Sequence, residues 1–568
     1  MRTRVVGLGL AALALSCGGD DAPAQGETGS TGPPVESTTT APPDPNATGP
    51  TTSSGADGSS SSSDEAGSTG EPAPDPCEGE ITVPFDAAAD GTQFEEVVGD
   101  FTIETLRGPV TLSQHWTGCD TYTFLGQDNA LWDTDVAGLV DNLPDNAYVF
   151  FFSTAADPTV AQGLVEGVGG RIESYLMSQG EDVYAARTER FRYVTTPAAQ
   201  LPSWMIDLPA SSDTASVLID RSQRLREGGS LAFFNGAFTP VLQMAAYPPR
   251  YLNWEIEHQA MMDAQEVTSV VAVDGEILGD GTTSSGLVDV QMPDATTMAG
   301  FDTMDLWLRF ECPGGHPYRV NCEAWDRIAN VEVCPMGDID CTDARLIGRA
   351  ITSYWRPTRT LLDATPFLPL FDAGGTFTLR ITWGPSWDFE VLETHLEIRL
   401  RDAAKGIRPS QITPLFAGGN FDAAYNDAYL PLDFTPPADA ARVELVSIMT
   451  GHGADDTYGC AEFCNHAHTF TVGGTSAFAL EYAPQVGNDP FICADLVDQG
   501  VMPNQWGTWH FGRAVWCPGW GVQPWRADVT SAVTLGQATT IEYAGSFDGT
   551  PGGPGGNIDM ASYVVVYR

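Results

Sequence analysis

The chain has 568 residues, and its 27 Lys and Arg residues face 75 Asp and Glu residues, which gives a net charge of −48. That length allows several domains. A field of that sign repels phosphate backbones and anionic lipid head groups, so we expect no nucleic-acid partner. The acidity is typical of a soluble protein in an extracytoplasmic or salty habitat.

The first 17 residues have the pattern of an export signal. Arg2 and Arg4 precede the short apolar run Val5–Leu15, which is too short to span a membrane. Ala14-Leu15-Ser16-Cys17 resembles a bacterial lipobox, with Ala14 where Leu is usual. We therefore expect lipidation of Cys17 and an exported protein, either a cell-envelope lipoprotein that meets a membrane only through its lipid anchor or a secreted protein.

Residues 18–76 are rich in Ser, Thr, Gly, Pro and Asp and nearly free of apolar residues. Such a composition cannot bury a core, so it predicts a disordered tether.

Ten cysteines follow Cys17, and an even number in an exported chain predicts disulfides. Proximity in sequence suggests the pairs Cys312–Cys322, Cys334–Cys341, Cys460–Cys464 and Cys493–Cys517, which leaves Cys77 with Cys119. A zinc site built from Cys460, Cys464, His466 and His468 is the alternative for that part of the chain.

Residues 77–265 predict an α/β domain. Ala147–Phe152 is a continuous apolar run typical of a strand buried on both faces, and Val160–Gln179 has helical spacing. Val98-Gly99-Asp100-Phe101-Thr102 and Trp116-Thr117-Gly118-Cys119 loosely resemble a thioredoxin-like domain of the peroxiredoxin type. No C-x-x-C pair is present at Cys119, so a structural bridge to Cys77 is favoured over a redox thiol.

Residues 267–568 have short alternating strands, Gly and Pro turns and many aromatic residues, which predicts all-β sandwiches. The region is too long for one sandwich of ordinary size. We therefore expect two domains, 267–405 and 406–568. The clearest predicted strands are Thr376–Thr382, His395–Leu400, Ala441–Ile448, His468–Val472 and Tyr563–Val566.

Asp326 stands out within the first of these domains. It follows an alternating apolar strand that contains Leu306, Leu308 and Phe310, and it begins a second apolar run. A carboxylate in that setting is either half of a structural ion pair or part of a functional site.

Four blocks of sequence resemble the peptide-N-glycosidase F family, bacterial amidases that remove N-linked glycans from asparagine, over about residues 270–568. The blocks are Glu311-Cys312-Pro313 with Cys322-Glu323-Ala324-Trp325-Asp326-Arg327-Ile328-Ala329-Asn330-Val331; Gly348-Arg349-Ala350-Ile351-Thr352-Ser353-Tyr354-Trp355; Gly459-Cys460-Ala461-Glu462-Phe463-Cys464 with His468-Thr469; and Arg513-Ala514-Val515-Trp516-Cys517-Pro518-Gly519.

The resemblance implies two adjacent eight-stranded jelly rolls with the active site in the cleft between them. It implies that Asp326 is the primary catalytic residue and that Glu462 supports it. Arg513 and Trp516 match binding residues of the family. The further substrate-binding candidates are Trp325, Arg327 and Trp387. We expect neither cofactor nor metal, since a carboxylate base and a nearby donor suffice for attack by water on an amide.

The sequence also departs from the family pattern. The stretch Leu379–Trp387 has no carboxylate where the family has a further active-site glutamate before a Trp; Asp388 or Glu390 is the candidate substitute. His452 stands where the family has a tryptophan.

Two functions follow from these observations. The first is an exported amidase that acts on N-glycoproteins or glycopeptides, releasing the glycan and leaving aspartate. The alternative is a non-catalytic glycan-binding surface protein with the same fold.

Overall fold

The computed structural model describes residue 77 and residues 79–568, apart from short gaps at 127–129, 213–215, 279–282, 336–337, 339–340, 386–388, 454–458 and 483–489. The predicted export signal, Cys17 and the predicted tether lie outside the described residues. In the described part, no helix is long and apolar enough to cross a membrane.

The first layer is a mixed five-stranded sheet with helices, in the order β5-β4-β3-β6-β7. The pairs β3–β4 and β4–β5 are parallel, and β6 runs antiparallel to β3. The elements are β1 Thr102–Thr105, β2 Gly108–Thr111, α1 Leu112–His115, β3 Thr121–Gly126, α2 Ala137–Asn142, β4 Ala147–Phe152, α3 Pro158–Gln179, α4 Glu181–Arg187, β5 Phe191–Tyr193, α5 Ser203–Ser212, β6 Ser216–Ile219, β7 Leu225–Glu227, β8 Ala232–Phe234, β9 Phe238–Pro240 and α6 Tyr247–Asp263.

Local sequence explains β4 and α3, two elements that the sequence predicts in this layer. The apolar run of β4 forms a central strand that is covered on both faces. Helix α3 begins after Asp157, whose side chain accepts hydrogen bonds from the backbone of Thr159 and Val160, with Pro158 in the first turn. The predicted α/β layer is therefore confirmed, whereas the thioredoxin-like resemblance stays a prediction.

The second layer is a β-sandwich of two facing sheets, ordered β10-β17-β12-β15 and β11-β16-β13-β14-β23. Along β12, Leu306, Leu308 and Phe310 point into the core, and Trp307 and Arg309 face outward. Its elements are β10 Thr268–Ile277, β11 Ser285–Asp294, α7 Ala295–Met298, β12 Thr303–Glu311, β13 Ile328–Val333, β14 Arg345–Ile351, β15 Thr358–Asp363, β16 Gly374–Trp383 and β17 Glu393–Arg401.

The third layer repeats this arrangement, with sheets ordered β18-β27-β20-β24 and β19-β25-β21-β22. When β23 and β26 are left out and each sandwich is numbered from its own first strand, the two sandwiches pair their strands in the same order. This is the arrangement of a double-sheet jelly roll. The two predicted jelly rolls are therefore confirmed. The elements are β18 Pro409–Asn420, β19 Leu432–Phe434, β20 Arg442–His452, β21 His466–Val472, β22 Ser476–Tyr482, α8 Ile492–Asp495, β23 Gly521–Val522, β24 Trp525–Asp528, β25 Thr539–Phe547, β26 Thr550–Pro551 and β27 Asn557–Tyr567.

Short 3₁₀ turns connect many of these elements. They are Thr188–Arg190, Ala198–Gln200, Leu242–Ala246, Tyr318–Val320, Thr365–Phe371, Tyr425–Ala428, Val497–Gln499 and Thr530–Ala532.

The two jelly rolls share one apolar core, because Ile448 and Val565 of the second pack into the core of the first. Arg349 crosses the same boundary. It is 1% exposed, lies 2.6 Å from Asp559, and donates a 2.8 Å hydrogen bond to the hydroxyl of Thr450. Strand β23 also pairs with β14, so the segment before it is fixed against the first jelly roll.

Five disulfides join described residues, and they are the pairs that sequence proximity suggests: Cys77–Cys119, Cys312–Cys322, Cys334–Cys341, Cys460–Cys464 and Cys493–Cys517. Cys119 is therefore bridged and is not a free thiol in this structure. Cys460 and Cys464 are likewise bonded to each other, the arrangement expected of the disulfide alternative.

Candidate active site

Asp326 lies on a loop that enters β13, and a second loop holds it in place. The hydroxyl of Thr352 accepts a 2.7 Å hydrogen bond from the backbone N–H of Arg327, and the N–H of Thr352 donates to the carbonyl of Arg327 at 2.9 Å. The N–H of Trp355 donates to the carbonyl of Glu323 at 2.7 Å. Three hydrogen bonds between the two loops thus fix a carboxylate whose side chain is 16% exposed.

Arg513 lies opposite Asp326, on a segment that the second jelly roll and the α/β layer both contact. The N–H of Ala514 donates to the carbonyl of Glu462 at 2.8 Å, which joins this segment to the Cys460–Cys464 loop. Val515 has φ of 67°, a left-handed conformation that a β-branched residue rarely adopts. Trp355, on the opposite loop, has φ of 59°. Backbone strain of this kind gathers at functional sites.

The guanidinium group of Arg513 binds both candidate catalytic carboxylates. Its Nη2 lies 3.3 Å from Oδ2 of Asp326, and its Nε lies 3.2 Å from Oε1 of Glu462. The side chain of Arg513 is 1% exposed, and the two carboxylates are 16% and 15% exposed. The predicted residues Asp326, Glu462 and Arg513 are therefore brought together, although 187 positions separate the first from the last.

The remaining contacts of Arg513 hold it rigidly. Nη1 donates to the carbonyls of Thr508 and Phe511, both at 2.8 Å, and Nη2 donates to the hydroxyls of Thr508 at 2.9 Å and Tyr354 at 3.1 Å. An arginine has five N–H donors, and protein acceptors in the described residues occupy all of them. Direct donation from Arg513 to a substrate, which the sequence suggested, is therefore not favoured by this geometry.

Burial raises the pKa values of both carboxyl groups. Burial raises the pKa of Asp326, while Arg513 and a hydrogen bond from Tyr354 act in the opposite direction. Burial also raises the pKa of Glu462, to about 7; Arg513 opposes this shift and the charge of Asp326 adds to it. Burial and the charge of Asp326 keep the pKa of Tyr354 well above its usual value. The site can therefore hold a carboxylate and a carboxylic acid side by side near neutral pH.

Trp516 is packed beneath Arg513. It is 4% exposed, its indole N–H donates to the carbonyl of Gly451 at 2.9 Å, and the guanidinium carbon of Arg513 lies 5.2 Å from its ring centroid. This position leaves little ring surface for a sugar, because the ring is used to support Arg513. Local sequence could not distinguish this Trp from one that faces solvent.

Trp325 and Arg327 flank Asp326 differently. The side chain of Trp325 is 52% exposed, large for an aromatic residue, and the guanidinium carbon of Arg327 lies 6.0 Å from its ring centroid. Arg327 also lies 3.7 Å from the carboxylate of Glu323. Trp325 thus has free aromatic surface next to the candidate base. The third tryptophan predicted for substrate binding, Trp387, lies outside the described residues.

Strand β16 has no carboxylate at the place where the family pattern has a further active-site glutamate. Ile381 and Trp383 are fully buried, and the indole of Trp383 donates to the carbonyl of Glu390 at 3.1 Å. Glu390 is exposed, and its N–H donates to the carboxylate of Glu323 at 2.8 Å. The other proposed substitute, Asp388, is not among the described residues.

His452, His466 and His468 are neutral structural partners near the site. Burial lowers the pKa of His452 to about 4, and Nε2 of His452 lies 2.8 Å from the hydroxyl of Thr450. Nδ1 of His466 lies 2.8 Å from Nε2 of His468, and burial lowers their pKa values to about 4 and about 3. Among the described residues, no group of three or more His, Cys, Asp or Glu side chains has the arrangement of a metal site.

Sequence reasoning missed three residues of this site. Tyr354 and Thr508 bind Arg513 directly, and Glu323 is a further buried carboxylate, 2% exposed, whose pKa is raised by burial. Tyr354 and Glu323 both occur within the sequence blocks described above, so their place in those blocks was an available signal. No such signal existed for Thr508.

One part of the chain matches a known protein family. Residues 420–565 match the family model described as peptide-N-glycosidase F, C terminal. No curated protein matches the chain.

Several solved structures are similar over about half of the chain. PNGase F, a glycosylasparaginase from Flavobacterium meningosepticum, is 21% identical, covering 53% of this chain and 96% of its own, with a TM-score of 0.40. A peptide-N(4)-(N-acetyl-β-D-glucosaminyl)asparagine amidase is 22% identical, covering 53% and 96%, with a TM-score of 0.42. PNGF-II is 14% identical, covering 55% and 67%, with a TM-score of 0.41. The family-model match is confined to residues 420–565, and over that range the chain is similar to the C-terminal part of peptide-N-glycosidase F.

Proposed function

We propose that the protein is an exported amidase that hydrolyses the amide bond between an N-linked glycan and its asparagine side chain. The observation that carries the proposal is the single buried guanidinium of Arg513 with Asp326 at 3.3 Å and Glu462 at 3.2 Å. Carboxylates with raised pKa values in a shared cluster are typical of acid–base sites.

In the proposed reaction, the carboxylate of Asp326 takes a proton from water. A hydrogen bond from Tyr354 and the positive charge of Arg513 favour the charged form of Asp326 against the effect of burial, and thus its role as base. The water oxygen bonds to the side-chain carbonyl carbon of the glycosylated asparagine, and the electron pair of the carbonyl moves to its oxygen.

Glu462 has the complementary role. Because burial raises its pKa to about 7, a substantial fraction of Glu462 is protonated near neutral pH and can donate to the oxyanion. Collapse of the tetrahedral intermediate then breaks the bond to nitrogen, and the proton held by Asp326 passes to the departing amine. The products are a glycosylamine and an aspartate side chain. No metal or cofactor takes part in these steps.

Trp325 supports binding of the substrate in this proposal. Its exposed indole adjoins Asp326, so a sugar ring or the peptide next to the glycosylated asparagine can pack on it.

Release of glycan from an N-glycopeptide, followed by mass spectrometry of the peptide, tests the proposal. We expect conversion of the glycosylated Asn to Asp and a reduction of about 10²–10⁴-fold in Asp326→Asn, the usual contribution of a general base. Asp289→Asn is the matched control, because Asp289 is an exposed strand carboxylate that accepts a 2.7 Å hydrogen bond from the hydroxyl of Thr378. Equal rates in both variants would refute the role of Asp326.

One observation favours the non-catalytic alternative. Ile381, fully buried, belongs to the stretch where the family pattern has a further active-site glutamate. Glycan binding without turnover across a panel of glycopeptides would support this alternative.

A further inference from the structure

A cleft outside the candidate active site lies between the α/β layer and the first jelly roll. Its volume is about 430 Å³, and its walls include Trp254 and His258 of α6 and Trp307 and Arg309 of β12. These β12 residues are on the outer face of the sheet β10-β17-β12-β15. The loop that carries Asp326 leads into β13, which belongs to the opposite sheet of the same sandwich. The cleft and the candidate active site are therefore distinct.

Positive charge is concentrated in this cleft. Five arginines line it against three carboxylates, although the whole chain has only 27 Lys and Arg residues and a net charge of −48. The arginines are Arg221, Arg224, Arg226, Arg309 and Arg359, and the carboxylates are Glu95, Asp220 and Glu255. Carboxylates just outside the cleft also pair with these arginines, with Glu80 3.0 Å from Arg221 and Glu311 2.7 Å from Arg359, so the attraction for an anion comes from the arginines that have no ion pair.

Two of the arginines are held by the carboxylates of the cleft. Arg226 lies 2.7 Å from both Asp220 and Glu255, and Arg359 lies 2.6 Å from Glu255. These pairs build the wall of the cleft and offer little attraction to a ligand.

Arg309 is different. Its neighbours across the sheet are Arg359 on one side and His395 on the other, and it has no ion pair with any residue that the structure describes. Its Nε is buried without a hydrogen-bond partner. Arg224, at the mouth of the cleft, is exposed and also has no ion pair within the described ranges. Arg309 lines the cleft and is only half-buried, so an acceptor in the cleft can bind its guanidinium group, whose charge no described carboxylate neutralises.

Aromatic rings form the adjoining wall. His258 stacks on Trp254 with 4.7 Å between ring centroids, and its centroid lies 5.2 Å from that of Trp307. Nε2 of His258 is buried and has no hydrogen-bond partner. Aromatic surface beside a few convergent polar groups is the usual composition of a small-molecule site, and it suits a ligand with both a ring and a charge.

We propose that this cleft binds a saccharide that carries a carboxylate group. Arg309 and Arg224 bind the carboxylate, since a guanidinium group matches its geometry with two parallel hydrogen bonds. Trp307 packs against the sugar ring. The cleft acts in binding alone, so this proposal does not depend on the amidase reaction.

The test measures binding to the full chain bearing Asp326→Asn, so that turnover cannot interfere. Glucuronic acid and N-acetylneuraminic acid are titrated by calorimetry, with glucose as the neutral sugar and acetate and sulfate as anions without a ring. We expect both acidic sugars to bind, and glucose, acetate and sulfate to bind at least tenfold more weakly. If glucose binds as tightly as the acidic sugars, the assignment of a charged ligand is wrong. If acetate or sulfate binds as tightly as the acidic sugars, the cleft is an adventitious anion site only, and the assignment of a saccharide ligand is wrong.

Variants locate the binding. Arg309→Met keeps the aliphatic part of the side chain and should weaken binding of the acidic sugars by roughly 10- to 100-fold, as expected for loss of charge-assisted hydrogen bonds. Arg224→Ala alters an exposed residue, so it tests the same prediction without risk to folding. Arg345→Ala, on β14 of the opposite sheet, is the matched control and should bind as the parent does. Unchanged binding in both Arg309→Met and Arg224→Ala would overturn the proposal.

Discussion

The candidate active site and the ion cluster between the α/β layer and the first jelly roll contain the same chemical groups, but they differ in how many guanidinium groups contact a single carboxylate. In the active site, Asp326 and Glu462 share the one guanidinium of Arg513. In the second cluster, called here the junction cluster, Glu255 lies between two guanidinium groups, 2.7 Å from Arg226 and 2.6 Å from Arg359.

The pKa values of the carboxyl groups follow this difference. Burial tends to raise the pKa in both places. In the junction cluster, Arg226 and Arg359 outweigh burial and lower the pKa of Glu255. In the active site, burial outweighs Arg513, and the pKa values of Asp326 and Glu462 stay raised. The number of guanidinium groups that contact one carboxylate, two for Glu255 and one each for Asp326 and Glu462, thus accompanies the opposite pKa shifts.

Removal of Arg513 is the change with the largest expected effect. Arg513→Met leaves two buried carboxylates without their cation, which should cost about 3–5 kcal/mol of unfolding free energy and abolish glycan release. Chemical denaturation measures the stability. Arg408→Met is the control, since Arg408 and Asp372 form a more exposed ion pair, which should cost no more than about 1 kcal/mol. A similar loss in both variants would contradict the account.

Paired glutamate variants test the comparison itself. Glu255→Gln removes a charge that two arginines stabilise and should reduce the unfolding free energy by about 1–3 kcal/mol at pH 7. Glu462→Gln removes a charge that the fold disfavours, and should leave stability unchanged or increase it while reducing glycan release. Denaturation of both variants at one pH gives the comparison. If Glu462→Gln were less stable than Glu255→Gln, the two clusters would not differ in how they stabilise a carboxylate charge.

The alternation of Leu306, Leu308 and Phe310, the apolar run of β4 and the spacing of the cysteines are local patterns, and each led to the correct element or pair. The sequence blocks that resemble the peptide-N-glycosidase F family predicted Asp326, Glu462 and Arg513 as residues of one site. Contacts such as the one between Tyr354 and Arg513 join segments 159 residues apart, so only the fold reveals them. For the same reason, the sequence could not show that Trp516 is buried while Trp325 is exposed.

The two regions also predict opposite responses to pH. The pKa of Glu462 is about 7 when folded against an ordinary 4.5, so the folded state binds more protons between these values and stability should fall as pH rises through this window. In the junction cluster, a hydrogen bond from His316 and the charge of Arg226 overcome burial and lower the pKa of Glu95 to about 2. Its contribution is present above pH 4.5 and should be lost as pH falls towards 2.

Thermal unfolding from pH 2 to pH 8 measures both responses. Glu462→Gln should flatten the curve between pH 4.5 and 7, and Glu95→Gln should flatten it below pH 4.5. An unchanged curve between pH 4.5 and 7 in Glu462→Gln would show that another group titrates there.

The smallest expected effect is at Trp325, which belongs to the active site but to neither ion cluster. Trp325→Ala should change stability by less than about 0.5 kcal/mol, because the side chain is exposed. Loss of aromatic packing with substrate should raise KM up to about tenfold with little change in kcat. Steady-state kinetics on one glycopeptide separates these constants, and a lower kcat with unchanged KM would argue against a binding role.

The measurement that tests the central claim most directly is glycopeptide cleavage in water labelled with heavy oxygen. Attack by water on the asparagine carbonyl predicts one labelled oxygen in the side-chain carboxylate of the new aspartate, and Asp326→Asn should suppress this labelling. A released glycan that leaves an unlabelled asparagine in the peptide would contradict the amidase reaction.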